Sequence, residues 1–171
     1  MRSPAEKAAK GAVFTALALI LSYVESLIPF SFAVPGIKPG FANLAVMILL
    51  YISSPWDAFA VNILRIVLQG FLFGNMFGIL YSLAGGIFSF LVMLTVKRTG
   101  QLTAAGVSIA GGAAHNIAQL IVASLVVNDP RILSFMPVLT AAGATSGLLT
   151  GLIASVIIRR LKNISAMDTQ K

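Results

Sequence analysis

The sequence predicts an all-α polytopic membrane protein, a bundle of six transmembrane helices of which the second is short or irregular. Composition is the first observation behind this. Of 171 residues, 58% are apolar and only 10% charged, with a mean hydropathy of +0.95. A soluble domain carries about 25% charged residues, so too few charges are present here to cover a water-facing surface. The second observation is that the apolar residues fall in six segments joined by short polar turns, with no long linker. The third is that the charges cluster at segment ends, as topology signals do.

Residues 8–28 form the first segment, preceded by Arg2, Lys7 and Lys10. That basic flank imitates a secretory signal, but the apolar stretch runs on to Ile28 without a small-residue cleavage site, so it reads as a retained helix. The second segment, 41–53, covers only about 20 Å against a hydrocarbon core of about 30 Å. It must be extended by its flanks, tilted or re-entrant. The third, 55–73, begins with Ser54, Pro55 and Asp57: an N-cap, a proline at the first helical position and a capping-box acid. The fourth, 77–96, ends in Lys97, Arg98 and Gly100, a C-terminal pattern. The fifth, 103–127, stops at the turn sequence Asn128-Asp129-Pro130. The sixth, 133–158, ends at Arg159-Arg160. Residues 1–171 read as a single integral membrane domain.

The net charge of +7 is distributed asymmetrically. With the N-terminus inside, Arg2, Lys7, Lys10, Lys97, Arg98, Arg159, Arg160, Lys162 and Lys171 are cytoplasmic. Only Lys38 and Arg131 lie outside. The basic residues thus set orientation, both termini cytoplasmic, and attract anionic membrane lipid rather than nucleic acid. The absence of cysteine excludes disulfides, thiolate metal sites and thiol catalysis.

Arg65 lies near the middle of the apolar run 58–80 and is its only charge. Asn62 and Gln69 stand three residues before and four after it, so the three share a helical face. A guanidinium at the bilayer centre costs roughly 2.5 to 3.5 kcal/mol on insertion scales. It persists only where protein, water or a ligand solvates it. On the fifth segment His115, Asn116 and Gln119 supply further polar groups, and Asn75 precedes the fourth. These seven side chains are expected to converge on one pocket. His115 reads either as bonded to a neighbour or as a proton relay, since its charge changes near neutral pH. One histidine without clustered carboxylates cannot coordinate a metal, and no cofactor is expected.

Glu25 and Lys38 flank the loop after the first segment and read as an ion pair or as two snorkelling side chains. The stretch 35–40, PGIKPG, is a rigid approach to the second segment, with Asn43 just inside it. It reads as a ligand lid or as an ordinary external loop. A pocket built on Arg65, amides and Lys38 favours an anionic or carbonyl-rich small molecule, because the guanidinium fork donates two parallel hydrogen bonds. Tyr81, Phe71, Phe73 and Phe77 are candidate walls. Small residues recur every four positions at Ala8, Ala12 and Ala16, at Gly106, Ala110, Ala114 and Ala118, and at Gly143, Gly147, Gly151 and Ser155. Such stripes allow close helix packing, internally or, for the first, against a partner helix.

Residues 35–43 resemble the PGIKLGLAN signature of a bacterial membrane family known as the Gx transporter family or heptaprenyl diphosphate synthase component I, with Pro39 in place of the usual leucine. Leu64-Arg65, Phe73-Gly74-Asn75, the run 81–85 and His115-Asn116 with Gln119-Leu120 match in order. That family is similar to the S components of energy-coupling factor (ECF) transporters, six-helix proteins of the bacterial cytoplasmic membrane. These bind a vitamin or related molecule from outside and dock on a T component carrying two ATPases. The resemblance implies an S-component-like bundle, with Ala8, Ala12 and Ala16 as the docking face. The chain contains no GxxxxGK[ST] loop, so ATP hydrolysis falls to partners. The family's other name suggests instead a membrane partner of a prenyl diphosphate synthase, or a prenyl or quinone carrier. Asp57, Asp129 and Asp168 are too isolated to hold magnesium on a diphosphate, so this chain is not expected to be an enzyme itself. A third reading, a partner of a flavin-linked electron-transfer protein, finds no residue that would hold a redox group.

The cysteine-free chain offers a direct test of orientation. In Arg131→Cys, a membrane-impermeant maleimide is expected to label intact cells. In Gln101→Cys it is expected to label only after permeabilisation, and the reverse pattern would invert the topology.

Overall fold

Helix boundaries follow the local signals closely. In the computed structural model, residues 3–27 and 40–168 are described, and Lys38 and the lid candidate 35–39 lie outside them. The described residues form α1 (Pro4–Leu27), α2 (Phe41–Ile52), α3 (Pro55–Phe73), α4 (Met76–Thr99), α5 (Ala104–Val127), a 3-10 turn (Pro130–Phe135) and α6 (Met136–Asp168), without a strand. Five of the helices are long and apolar enough to cross a membrane, and α2 is not. Ser54 Oγ accepts from Asp57 N (3.1 Å) and Asp57 Oδ2 from Ser54 N (3.3 Å), completing the capping box of α3. Thr103 caps α5, and Gly100 and Asn128 take left-handed backbone conformations after α4 and α5. The last helix runs ten residues past Ile158, because nothing in the basic segment after it breaks a helix. Its start is later than the expected residue 133, since Pro130 opens a 3-10 turn first.

The centre of the bundle is α2. Val46, Met47, Leu49 and Leu50 are fully buried and form one apolar cluster with Ala58 and Val61 of α3, Phe90 and Met93 of α4, Val107 of α5, and Ala154 and Ile158 of α6. A helix of 12 residues spans about 18 Å, well short of a hydrocarbon core of about 30 Å. At the C-terminal end Lys97 Nζ donates to Leu50 O at 2.5 Å and Lys10 Nζ to Ile52 O at 3.2 Å. The Lys97 ammonium also lies 4.8 Å over the Tyr51 ring. Cations at a helix C-terminus satisfy orphan carbonyls and oppose the negative end of the dipole.

Helix α1 buries Thr15, Ala18, Ser22 and Glu25, at spacings of three and four, against α2 and α3. Ala8, Ala12 and Ala16, on the flank of that buried face, are exposed. The tightest packing joins α5 to α6, backbone to backbone. A Cβ on Gly112 would meet the carbonyl of Gly143, and one on Gly147 would meet the carbonyl of Ser108. Gly151 lies equally close to Ser108 and Ala105. The α6 stripe is thus used for internal packing, as expected. On α5 the seam with α6 runs through Ala105, Ser108 and Gly112; in the stripe Gly106, Ala110, Ala114 and Ala118, Ala114 is buried as well. A Cβ on Gly106 would face only Leu102 of its own chain segment.

Gly112→Val is expected to lower stability by about 1–3 kcal/mol through overpacking against backbone that cannot rotate away. Gly11→Ala, where a Cβ meets nothing within 4 Å, serves as the neutral control. Thermal unfolding of both variants in detergent checks the contrast.

Candidate binding site

The N-terminal end of α2 opens on a polar cavity of ≈ 70 Å³. It is lined by Glu25 of α1, Gly40, Ala42 and Asn43 at the start of α2, Arg65, Ile66 and Gln69 of α3, and Ser82 of α4. Gly112, His115, Asn116 and Gln119 of α5 and Gly143 and Ser146 of α6 close it. A site for a whole drug-sized ligand typically holds about 300–1,000 Å³. The space within the described walls is smaller than that.

Arg65 is 5% exposed, and its charge is spread over amide oxygens. Nε and Nη2 donate to Asn62 Oδ1 at 3.3 and 3.0 Å, and Nη2 donates to Asn43 Oδ1 at 2.6 Å. Asn62, on the same face three residues earlier, turns its own amide outward to α4: Nδ2 donates to Gly86 O at 3.0 Å. Gly86 makes this approach possible, since a Cβ there would meet Ile66 Cδ1 at 2.5 Å. Among the described residues Nη1 of Arg65 has no acceptor, and it belongs to a residue on the cavity wall. A charged donor on a residue only 5% exposed is served by an acceptor from a ligand or from water.

The start of α2 adds to this. Gly40 has φ 77°, a conformation that favours glycine, and a Cβ there would also lie 2.8 Å from Ser146 Oγ. Its N–H donates to Glu25 Oε1 at 2.7 Å. Ala42 and Asn43, in the first turn, line the cavity at the positive end of the helix dipole. On the far wall, Gly85 of α4 lets α5 side chains lie across it: a Cβ would sit 2.7 Å from Gln119 Cγ and 2.9 Å from His115 Cε1. Asn116 Nδ2 donates to Leu139 O at 2.6 Å, tying the site to α6.

Six sequence-derived candidates thus line one cavity: Asn43, Arg65, Gln69, His115, Asn116 and Gln119. Asn62 supports Arg65 from beneath rather than lining the space. Asn75 lies elsewhere and is exposed; its Oδ1 accepts from Gly78 N at 2.7 Å and caps α4. Tyr81 is also outside the lining and stacks on Phe77, with ring centroids 6.2 Å apart and planes at 20°. Phe71, Phe73 and Phe77 are exposed on the bundle surface rather than forming walls. Residue-level reading missed Glu25, Ser82 and Ser146 and the bare backbone at Gly112 and Gly143. The signal for Glu25 was its place on the face of Thr15, Ala18 and Ser22. Among the described residues there is no cluster of three or more metal-ligating side chains.

Residues 14–157 match the family described as heptaprenyl diphosphate synthase component I. The curated proteins give no sequence match. Among solved structures, one described as the S component of a bacterial ECF transporter is similar in fold. The TM-score is 0.61, with 16% identity, covering 99% of this chain and 100% of that one.

Replacing Asn62 by leucine removes both acceptor bonds to Arg65 and the donor to Gly86 O. The expected loss is about 1–3 kcal/mol of stability, read as a lower unfolding temperature in detergent, with Gln69→Leu as the milder comparison.

Proposed function

The chain belongs to the heptaprenyl diphosphate synthase component I family, and we propose that it is the substrate-binding membrane subunit of an importer of the ECF type. Its cargo on this reading is a small molecule, vitamin- or cofactor-like, with an anionic or carbonyl group. One observation carries the reading: Arg65, buried at 5% exposure, borders a polar cavity with part of its guanidinium uncommitted. Broken helices in transporters aim their N-termini at anionic substrate groups in this way. The likeness in fold to an S component supports the same assignment.

With the N-terminus cytoplasmic, the cavity faces the outside, where cargo arrives. Asn43, Gln69, His115, Asn116 and Gln119 contact it beside Arg65, and Lys38, two residues before Gly40 in sequence, is a further candidate contact. Energy comes from ATPases joined through a T component, against which the exposed face of Ala8, Ala12 and Ala16 docks. Catalysis is not part of this role. The family's name favours a second reading, a membrane partner of a prenyl diphosphate synthase or a prenyl carrier. On that reading too, the chemistry belongs to another chain. Asp57 and Asp129 are engaged as helix caps.

The test is mass spectrometry of small molecules that stay bound to the chain purified in mild detergent. Arg65→Ala is expected to lower their occupancy by about a hundredfold or more, from two lost charge-assisted hydrogen bonds, while the helical fold persists. Unchanged occupancy removes Arg65 from the site. Ala12→Trp is expected to leave cargo bound and to abolish co-purification of the T component and ATPases.

A further inference from the structure

Glu25 faces the same cavity as Arg65 and is only 8% exposed. Among the described lining residues these two carry the formal charges, and His115 is the one other titratable side chain. The two charges are held by different partners. Arg65 bonds to Asn62 and Asn43, whereas Glu25 accepts from the Gly40 amide. Gly40 and Asn43 are joined in turn, Asn43 N donating to Gly40 O at 2.9 Å. The first turn of α2 therefore touches both charges, Glu25 through the Gly40 amide and Arg65 through Asn43 Oδ1.

In a medium of low dielectric constant, opposite charges attract strongly, and each is costly to bury without a partner. A cargo that carries only negative groups would satisfy Arg65 but would face Glu25 with like charge. A cargo that carries only positive groups meets the mirror problem at Arg65. A molecule with an acceptor at one end and a donor at the other satisfies both.

We infer that Glu25 is a ligand-binding, specificity-determining residue. The cargo presents a carboxylate or carbonyl to Arg65 and a protonated amine or ring N–H to Glu25, so it is zwitterionic or neutral with a donor–acceptor edge. A diphosphate is disfavoured. This inference rests on the substrate-binding reading proposed above.

The experiment incubates the detergent-purified chain with a small-molecule extract of bacterial cells, washes it, and identifies what heat releases by mass spectrometry. Wild type, Glu25→Gln, Glu25→Asp and Arg65→Ala are compared after each is checked for helix content and a monodisperse elution. Glutamine retains an oxygen that accepts the Gly40 N–H, so Glu25→Gln removes the charge without removing the brace. The expected result is a bound species bearing both group types. Its occupancy should fall roughly tenfold to a hundredfold in Glu25→Gln, the worth of one charge-assisted hydrogen bond, and recover in part in Glu25→Asp. A species lost in Arg65→Ala but retained in Glu25→Gln overturns this inference alone. So does a bound species with acceptor groups only, such as a diphosphate. No bound small molecule in wild type overturns the substrate-binding reading together with it.

Discussion

A helix too short to span the membrane sets the terms for the rest of this structure. Twelve residues cannot cross a bilayer core of about 30 Å, and an orphan amide or carbonyl in an apolar interior costs several kcal/mol. Both ends of α2 therefore recruit polar partners from other helices. Lys10 and Lys97 reach its last carbonyls from α1 and α4. At the other end Glu25 takes the Gly40 amide, and Asn43 in the first turn takes the Arg65 guanidinium. The polar groups that look anomalous in so apolar a chain are largely consequences of this one interruption. The cavity is the space left where the interrupted helix starts.

The same constraint explains which helices hold the site. Apolar residues on all faces of α2 are buried, so α2 needs neighbours around its whole circumference. It packs on α1, α3 and α6, with α4 and α5 closing the cluster. Charged residues facing its N-terminus then converge without any long-range steering: α1 supplies Glu25 and α3 supplies Arg65. Outside this shell the surface is apolar, as lipid contact requires, and on α1 the exposed Ala8, Ala12 and Ala16 lie beside the bulkier exposed Val13, Leu17 and Ile20.

What was legible in the sequence was local. Ser54, Pro55 and Asp57 mark the start of α3 because a capping box is read within four residues. The shortness of α2 follows from counting, and the face shared by Asn62, Arg65 and Gln69 follows from helical period. Asn75 was misplaced because it stands in the break between α3 and α4, where its side chain is used to cap α4. The α5 seam with α6 could not be read from the sequence for another reason. Small residues occur on two adjacent faces of α5, and only contact with α6 selects Ala105, Ser108 and Gly112. Glu25 looked like an interfacial acid, since nothing nearby in sequence reveals that α1 turns it toward Gly40. Periodicity reports which residues share a face, and packing decides what that face meets.

One wall of the cavity is peptide rather than side chain. At Gly112 and Gly143 the backbones of α5 and α6 touch, so this wall has no rotamers with which to accommodate a differently shaped guest. Substitution there does not retune the site; it separates two helices. A change in the shape of the cavity has to proceed at other lining positions, such as Gln69 and Ser82, where a side chain can change without moving a helix. The site is thus half mould and half adjustable jaw, and its evolvability is confined to the jaw.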